Sequence, residues 1–155
     1  VARWNMATGE INPMPYEYPD LKKVRFIYAA SAEHQLYVQC YTQYDLMTIC
    51  DFNGNLKCNI YGPKWVNEKT QTQHYSLGVE FCGDKILALY SGGDHRTDAY
   101  YPTKFLVFDL NGNYLKTLET GYMITDFCYD KENNRLIINL NDEIQFAYLD
   151  LEGII

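Results

Sequence analysis

Short apolar runs, separated by clusters of Gly, Asn, Asp and Ser, recur along almost the whole chain. Residues 26–29 and 36–40 flank Ser31-Ala32-Glu33-His34. Residues 77–82 and 86–90 flank Gly83-Asp84, and residues 124–129 and 136–140 flank residues 130–134. Each pair reads as two β-strands joined by a turn, because runs of this length bounded by turn formers suit strands. No stretch holds a 3.6-residue apolar period for three turns, so a long helix is excluded.

A second hairpin follows each of the first. Asp51-Phe52-Asn53-Gly54-Asn55 is echoed by Asp109-Leu110-Asn111-Gly112-Asn113, and more distantly by Asp150-Leu151-Glu152-Gly153. Asn-Gly between apolar runs predicts a type I′ turn, in which both central residues take positive φ. From the first apolar residue of the second strand to the turn glycine is 18 positions in unit one (Leu36 to Gly54). It is 26 in unit two (Ile86 to Gly112) and 17 in unit three (Leu136 to Gly153), so residues 91–102 hold an insertion.

Four short strands repeating every ~40–45 residues are the signature of propeller blades. The expected fold is all-β: about three four-stranded antiparallel β-propeller blades plus an N-terminal hairpin, half of a six-bladed ring. A meander or sandwich with coincidental turns is the competing arrangement. The expected divisions are residues 1–20 as the outer hairpin of a preceding blade, 24–62 and 75–121 as blades, and 122–155 as a last blade lacking its outer strand. At least eleven strands and no helix beyond one turn are expected. On this reading the chain is the C-terminal half of a larger propeller, completed by a preceding half or by a second copy in a homodimer.

The blade pattern resembles TolB-like and NHL-type six-bladed propellers, a set that includes many uncharacterised bacterial envelope proteins. Asp130-Lys131-Glu132-Asn133-Asn134-Arg135-Leu136 and Val107-Phe108-Asp109-Leu110-Asn111-Gly112 carry the likeness. It implies a cell-envelope or periplasmic location and a blade fold, but no activity.

Composition narrows the partners. The chain has 155 residues, 20 acidic and 13 basic, for a formal charge of -7. That balance argues against nucleic acid, whose phosphates need clustered Lys and Arg. No apolar run reaches the ~18–20 residues of a spanning helix, so no membrane insertion is expected. Five cysteines (Cys40, Cys50, Cys58, Cys82 and Cys128) lie in or beside apolar runs at irregular spacing, which predicts buried free thiols rather than disulfides or a metal site.

Blade topology fixes where a site would sit. The turns between first and second and between third and fourth strands share one face. The loops between second and third strands share the other face with the connections between blades. Two long segments, residues 62–75 and 91–102, fall on that second face, where binding residues concentrate. They carry Trp65, His74, Tyr75, Asp94, His95, Arg96, Asp98, Tyr100 and Tyr101. Aromatic walls around polar groups would stack a sugar ring or clasp a peptide. The expected function is therefore a non-enzymatic binding or scaffold propeller for a protein, peptide or glycan. The alternative is a hydrolase or lactonase-type propeller enzyme with Glu80, Asp126 and Asn139 at the central channel. His74, Asp94, His95 and Asp98 lack metal-ligand spacing, no Gly-x-Ser-x-Gly is present, and Gly92-Gly93 is followed by no Lys-Ser or Lys-Thr, so no metal and no cofactor are expected. His34, in a turn on the opposite face, is expected to be exposed.

Overall fold

A computed structural model describes residues 2–13, 21 and 24–155; the rest of the expected N-terminal hairpin segment, residues 1 and 14–20, lies outside the described residues. The chain is all-β, made of antiparallel sheets arranged as blades. A hairpin of β1 (Ala2–Trp4) and β2 (Ile11–Pro13) precedes the first full sheet. That sheet comprises β3 (Phe26–Ser31), β4 (Leu36–Tyr41), β5 (Leu46–Asp51) and β6 (Leu56–Tyr61) in sequential order. The second holds β7 (Thr72–Cys82), β8 (Lys85–Asp94), β9 (Lys104–Asp109) and β10 (Tyr114–Glu119). The third has β11 (Ile124–Asp130), β12 (Arg135–Leu140) and β13 (Phe146–Asp150). The first strands β3, β7 and β11 lie side by side, so the sheets radiate from a shared inner edge.

Packing explains why the central strands are apolar without alternation. Side chains of a strand point alternately to its two faces. On β8, Ile86, Ala88 and Tyr90 pack with Val38, Met47 and Ile49 of the first sheet. Leu87 and Leu89, with Phe105 and Val107, pack with Leu136, Ile138 and Leu140 of the third. A sheet covered on both faces reads as a continuous hydrophobic run.

The turns differ from the expected type I′ form. Gly54 and Gly112 have φ of 88° and 85°, but Asn53 and Asn111 are not left-handed. Each turn closes by a bond from the glycine N–H to the Asp carbonyl three residues earlier, Gly54 to Asp51 and Gly112 to Asp109, both 3.0 Å. The preceding aspartate decides this. Asp51 Oδ1 accepts the N–H groups of Asn53 (2.8 Å) and Asn55 (2.9 Å), and Asp109 repeats the pattern with Asn111 and Asn113. The carboxylate holds the asparagine in the ordinary φ range, and only the glycine turns left-handed, as in a three-residue hairpin.

These turns also couple neighbouring units. Lys57 Nζ reaches the Leu110 carbonyl (3.4 Å) and Cys58 Sγ the Asn111 carbonyl (3.5 Å). Lys116 Nζ donates to the Ile154 carbonyl. Arg3 of the N-terminal hairpin donates to Phe52 O and Asn53 Oδ1, each at 3.2 Å. His34 is not simply exposed: half-buried, it has Nε2 2.8 Å from the Gly83 carbonyl and its ring 6.3 Å from that of Phe81. Among the described residues no disulfide joins the cysteines; Cys40, Cys50 and Cys82 are buried, Cys58 is half-buried, and Cys128 is exposed rather than buried.

Candidate functional site

The face carrying the loops between second and third strands has shorter loops than its polar sequence suggests. Thr72 pairs with Asp94 and Gln73 with Gly93, so strands β7 and β8 extend into both segments. His74 and Tyr75 are therefore strand residues, each 1% exposed, and do not belong to an open loop. Gly93 lies under the single 3₁₀ turn Asp98–Tyr100, where a Cβ would meet the Ala99 carbonyl oxygen at 1.9 Å. The hydroxyl of Ser91 donates to that same carbonyl at 2.6 Å, folding the loop back on its strand.

The remaining candidates form three separate groups. Asp94 and Arg96 are bidentate, with Nη2–Oδ2 2.6 Å and Nε–Oδ1 3.0 Å, and the guanidinium holds the Asp94 carboxyl well below the usual carboxylate range. His95 Nδ1 lies 3.7 Å from Asp94 and 2.9 Å from the Gln71 carbonyl. Tyr100 and Tyr101, beside Asp98, stack with ring centroids 4.2 Å apart. Trp65 sits apart from both, half-buried against Tyr61 (4.8 Å) and Tyr44 (6.1 Å).

Beneath this face lies a buried polar knot. His74 Nδ1 is 3.8 Å from Asp45 Oδ1 and 3.3 Å from the Tyr90 hydroxyl. Asp45 Oδ2 accepts the Lys64 N–H at 2.9 Å. Burial lowers the His74 pKa against the opposing pull of Asp45, while burial and the Asp45 charge raise that of Tyr90. His74 thus faces Asp45 and not Asp94 or Asp98, and no cluster of three metal-ligating residues exists among the described residues.

The structure also assembles a pocket whose residues, except His95, are not prominent in the sequence. Arg25, Thr42, Gln43, Lys69, Gln73 and His95 line a cavity of ≈ 250 Å³. They come from the connections entering the first and second sheets, the start of β7 (Gln73) and the two loops between second and third strands. Their common position at blade-connection sites was the available signal, but none belongs to a recognisable motif.

At the inner edge, a cleft of ≈ 380 Å³ brings Glu80 and Asp126 together with Tyr28, Leu77 and Phe127. Burial pushes the Glu80 carboxyl up, and the charge of Asp126 adds to it. Leu77, at φ 68°, forms a bulge in β7 here. Asn139 pairs with Asp126 across β11 and β12.

No protein-family model matches the sequence, and no curated protein does. Among solved structures, the chain is similar to the extracellular domain of a B. thetaiotaomicron protein assigned to the hybrid two-component systems. The TM-score is 0.67 at 10% identity, over 96% of this chain and 17% of that one. It is also similar to the WD40 domain of Neurospora crassa Pan2, with a TM-score of 0.48 at 14% identity, over 81% of this chain and 32% of that one. The chain thus spans less than a third of the domain of Pan2 by length, and a smaller part of the bacterial one. The first likeness shows the fold alone and does not single out the TolB-like or NHL-type families.

Proposed function

We propose that this chain is part of a six-bladed propeller of the TolB-like or NHL type, and that the face bearing Trp65, His95, Tyr100 and Tyr101 recognises a peptide or glycan without catalysis. The supporting observation is the stacked Tyr100–Tyr101 pair, which shares one strand-anchored loop with the charged Asp94–Arg96–His95 group. Rigid aromatic rings give contact area at low entropic cost, and the neighbouring charges supply orientation. His74 and Tyr75 act beneath the face as its support. Replacing His95 and Tyr101 by Ala tests the reading on glycan and peptide arrays. Ligand capture is lost while the melting temperature stays near that of the parent. Unchanged capture by that variant moves the site elsewhere.

A second reading places a hydrolytic site in the inner cleft, favoured by the upward shift of the Glu80 carboxyl, which suits a general acid. Activity toward lactones or glycosides that disappears in Glu80→Gln would support it. A panel without turnover would remove it.

A further inference from the structure

We infer that the pocket of Arg25, Thr42, Gln43, Lys69, Gln73 and His95 binds an oxyanion group of the ligand, a carboxylate, phosphate or sulfate. This deepens the binding reading of that face and rests on it. This cavity is lined, among the described residues, by an arginine, a lysine and a histidine and by no carboxylate, a local reversal of charge in a chain with 20 acidic and 13 basic residues. Among the described residues, neither Arg25 nor Lys69 is ion-paired. Asp94, 3.7 Å from the His95 Nδ1, is held by Arg96 in a bidentate pair. Arg25 and Lys69 line one cavity, so an oxyanion bound there would interact with both positive charges.

The frame of the pocket is preformed. The Thr42 N–H donates to the Arg25 carbonyl at 3.0 Å. Gln43 and Thr70 exchange bonds: Gln43 Nε2 donates to Thr70 O (3.2 Å), and Thr70 N (3.3 Å) and Oγ1 (3.1 Å) donate to Gln43 O. The Gln71 carbonyl accepts the backbone N–H of His95 at 3.2 Å and lies 2.9 Å from its Nδ1. These bonds fix the four chain segments that line the pocket. A ligand therefore spends little of its binding energy on ordering the loops. The guanidinium of Arg25 matches a planar or tetrahedral oxyanion in two-point fashion, and Lys69 adds a point charge.

The test is a titration of the full 155-residue chain with glucuronate, inorganic phosphate and inorganic sulfate, followed in 1H–15N spectra at constant ionic strength. Glucose and chloride are the controls. Shifts centred on the amides of Thr42, Gln43, Gln73 and His95 are expected with at least one oxyanion. The arm that responds most strongly identifies the group. Arg25→Gln/Lys69→Gln, at two exposed positions, lowers that affinity at least about tenfold, the loss expected from removing charge-assisted contacts. Absence of shifts at these amides in all three arms, or equal shifts in the double variant, overturns the inference. An array ligand lost in the His95→Ala/Tyr101→Ala variant but retained by Arg25→Gln/Lys69→Gln leaves the binding face intact and removes only the oxyanion site. Oxyanion shifts without any array ligand uphold the pocket and remove the broader reading.

Discussion

The carboxylate of Asp45 stands 3.8 Å from Nδ1 of His74, with both side chains sealed from solvent at 1% and 2% exposure. Asp45 begins β5's approach from the loop after β4, His74 belongs to β7, and Lys64, whose N–H Asp45 also holds, lies in the connection between them. One buried group therefore ties together three segments of the candidate binding face. Gly62 is part of the same arrangement: its N–H donates to the Asp45 carbonyl at 2.8 Å, and a Cβ there would lie 2.2 Å from the carboxylate.

His74 makes stability depend on pH in a definite direction. Its folded pKa is lowered by burial, so the unfolded chain binds the proton more readily. Stability is fully present above about 6.5 and falls as pH drops below that value toward the folded pKa. The turn carboxylates Asp51, Asp109 and Asp130, lowered by hydrogen bonds from Asn55, Asn113 and Asn133, lose their contributions only below about pH 4. Denaturant melts at pH 7.5 and 5.5 should show the loss, and His74→Gln should flatten it. A change in midpoint between the two values that is equal in the parent and in His74→Gln would contradict the assignment.

Gly112 and Gly153 separate backbone from packing effects. Both are left-handed, at φ 85° and 71°. A Cβ on Gly153 meets nothing within 4 Å, whereas on Gly112 it meets Cys58 Sγ and Ile60 Cδ1, each at 2.8 Å. Gly153→Ala should cost about 1 kcal/mol, the penalty of an L-residue in that region. Gly112→Ala should cost a further ~1–3 kcal/mol for overpacking against β6. Urea unfolding of the two variants checks the order, and equal midpoints would show that β6 yields freely.

The cysteines should sort by burial. Burial raises the pKa of Cys40 and Cys82, and pushes Cys58 up to a lesser extent. Thiolate is the reactive form. Titration of the native chain with a disulfide reagent should therefore label exposed Cys128 first and Cys58 slowly, and denaturant should release the count to five. Fewer than five thiols in denaturant would reveal a disulfide.

The repeat was legible because its cause is local. Asp-x-Asn-Gly-Asn sets a turn wherever it occurs, and residues 86–90 and 105–108 are apolar throughout because neighbouring sheets cover both faces. The turn type was not legible, since it depends on Asp51 and Asp109 capturing backbone N–H groups from within the loop. His74 and Tyr75 read as loop residues because Thr72-Gln73-His74 is polar. Their strand is stabilised by pairing with residues 90–94, 15 to 22 positions away, which no local pattern encodes. The Arg25 pocket was invisible for the same reason: its residues come from four connections and the start of β7, which meet only in the folded chain.

Both ends of the arc expose large apolar side chains. Trp4, Met6 and Ile11 are 62%, 82% and 64% exposed at one end; Ile144, Phe146 and Tyr148 are 65%, 68% and 63% exposed at the other. Between β10 and β13 an apolar cleft of ≈ 570 Å³ includes Leu118, Ile138, Ala147 and Leu149, open along the edge of β13. Monomers seldom leave contiguous apolar patches beyond a few hundred Å² uncovered, and an open strand edge invites pairing. A second copy would present the N-terminal hairpin of one chain to the β13 end of the other, covering both patches at once. Light scattering on the isolated 155-residue chain should thus give about twice its 18.1 kDa, or aggregation. Phe146→Lys/Tyr148→Lys, on the outward face of β13, should shift that mass toward the monomer without lowering the melting temperature of the central sheet. A parent that is already a compact, reversible monomer at dilute concentration would show that these faces are tolerated in water and that no second copy is needed.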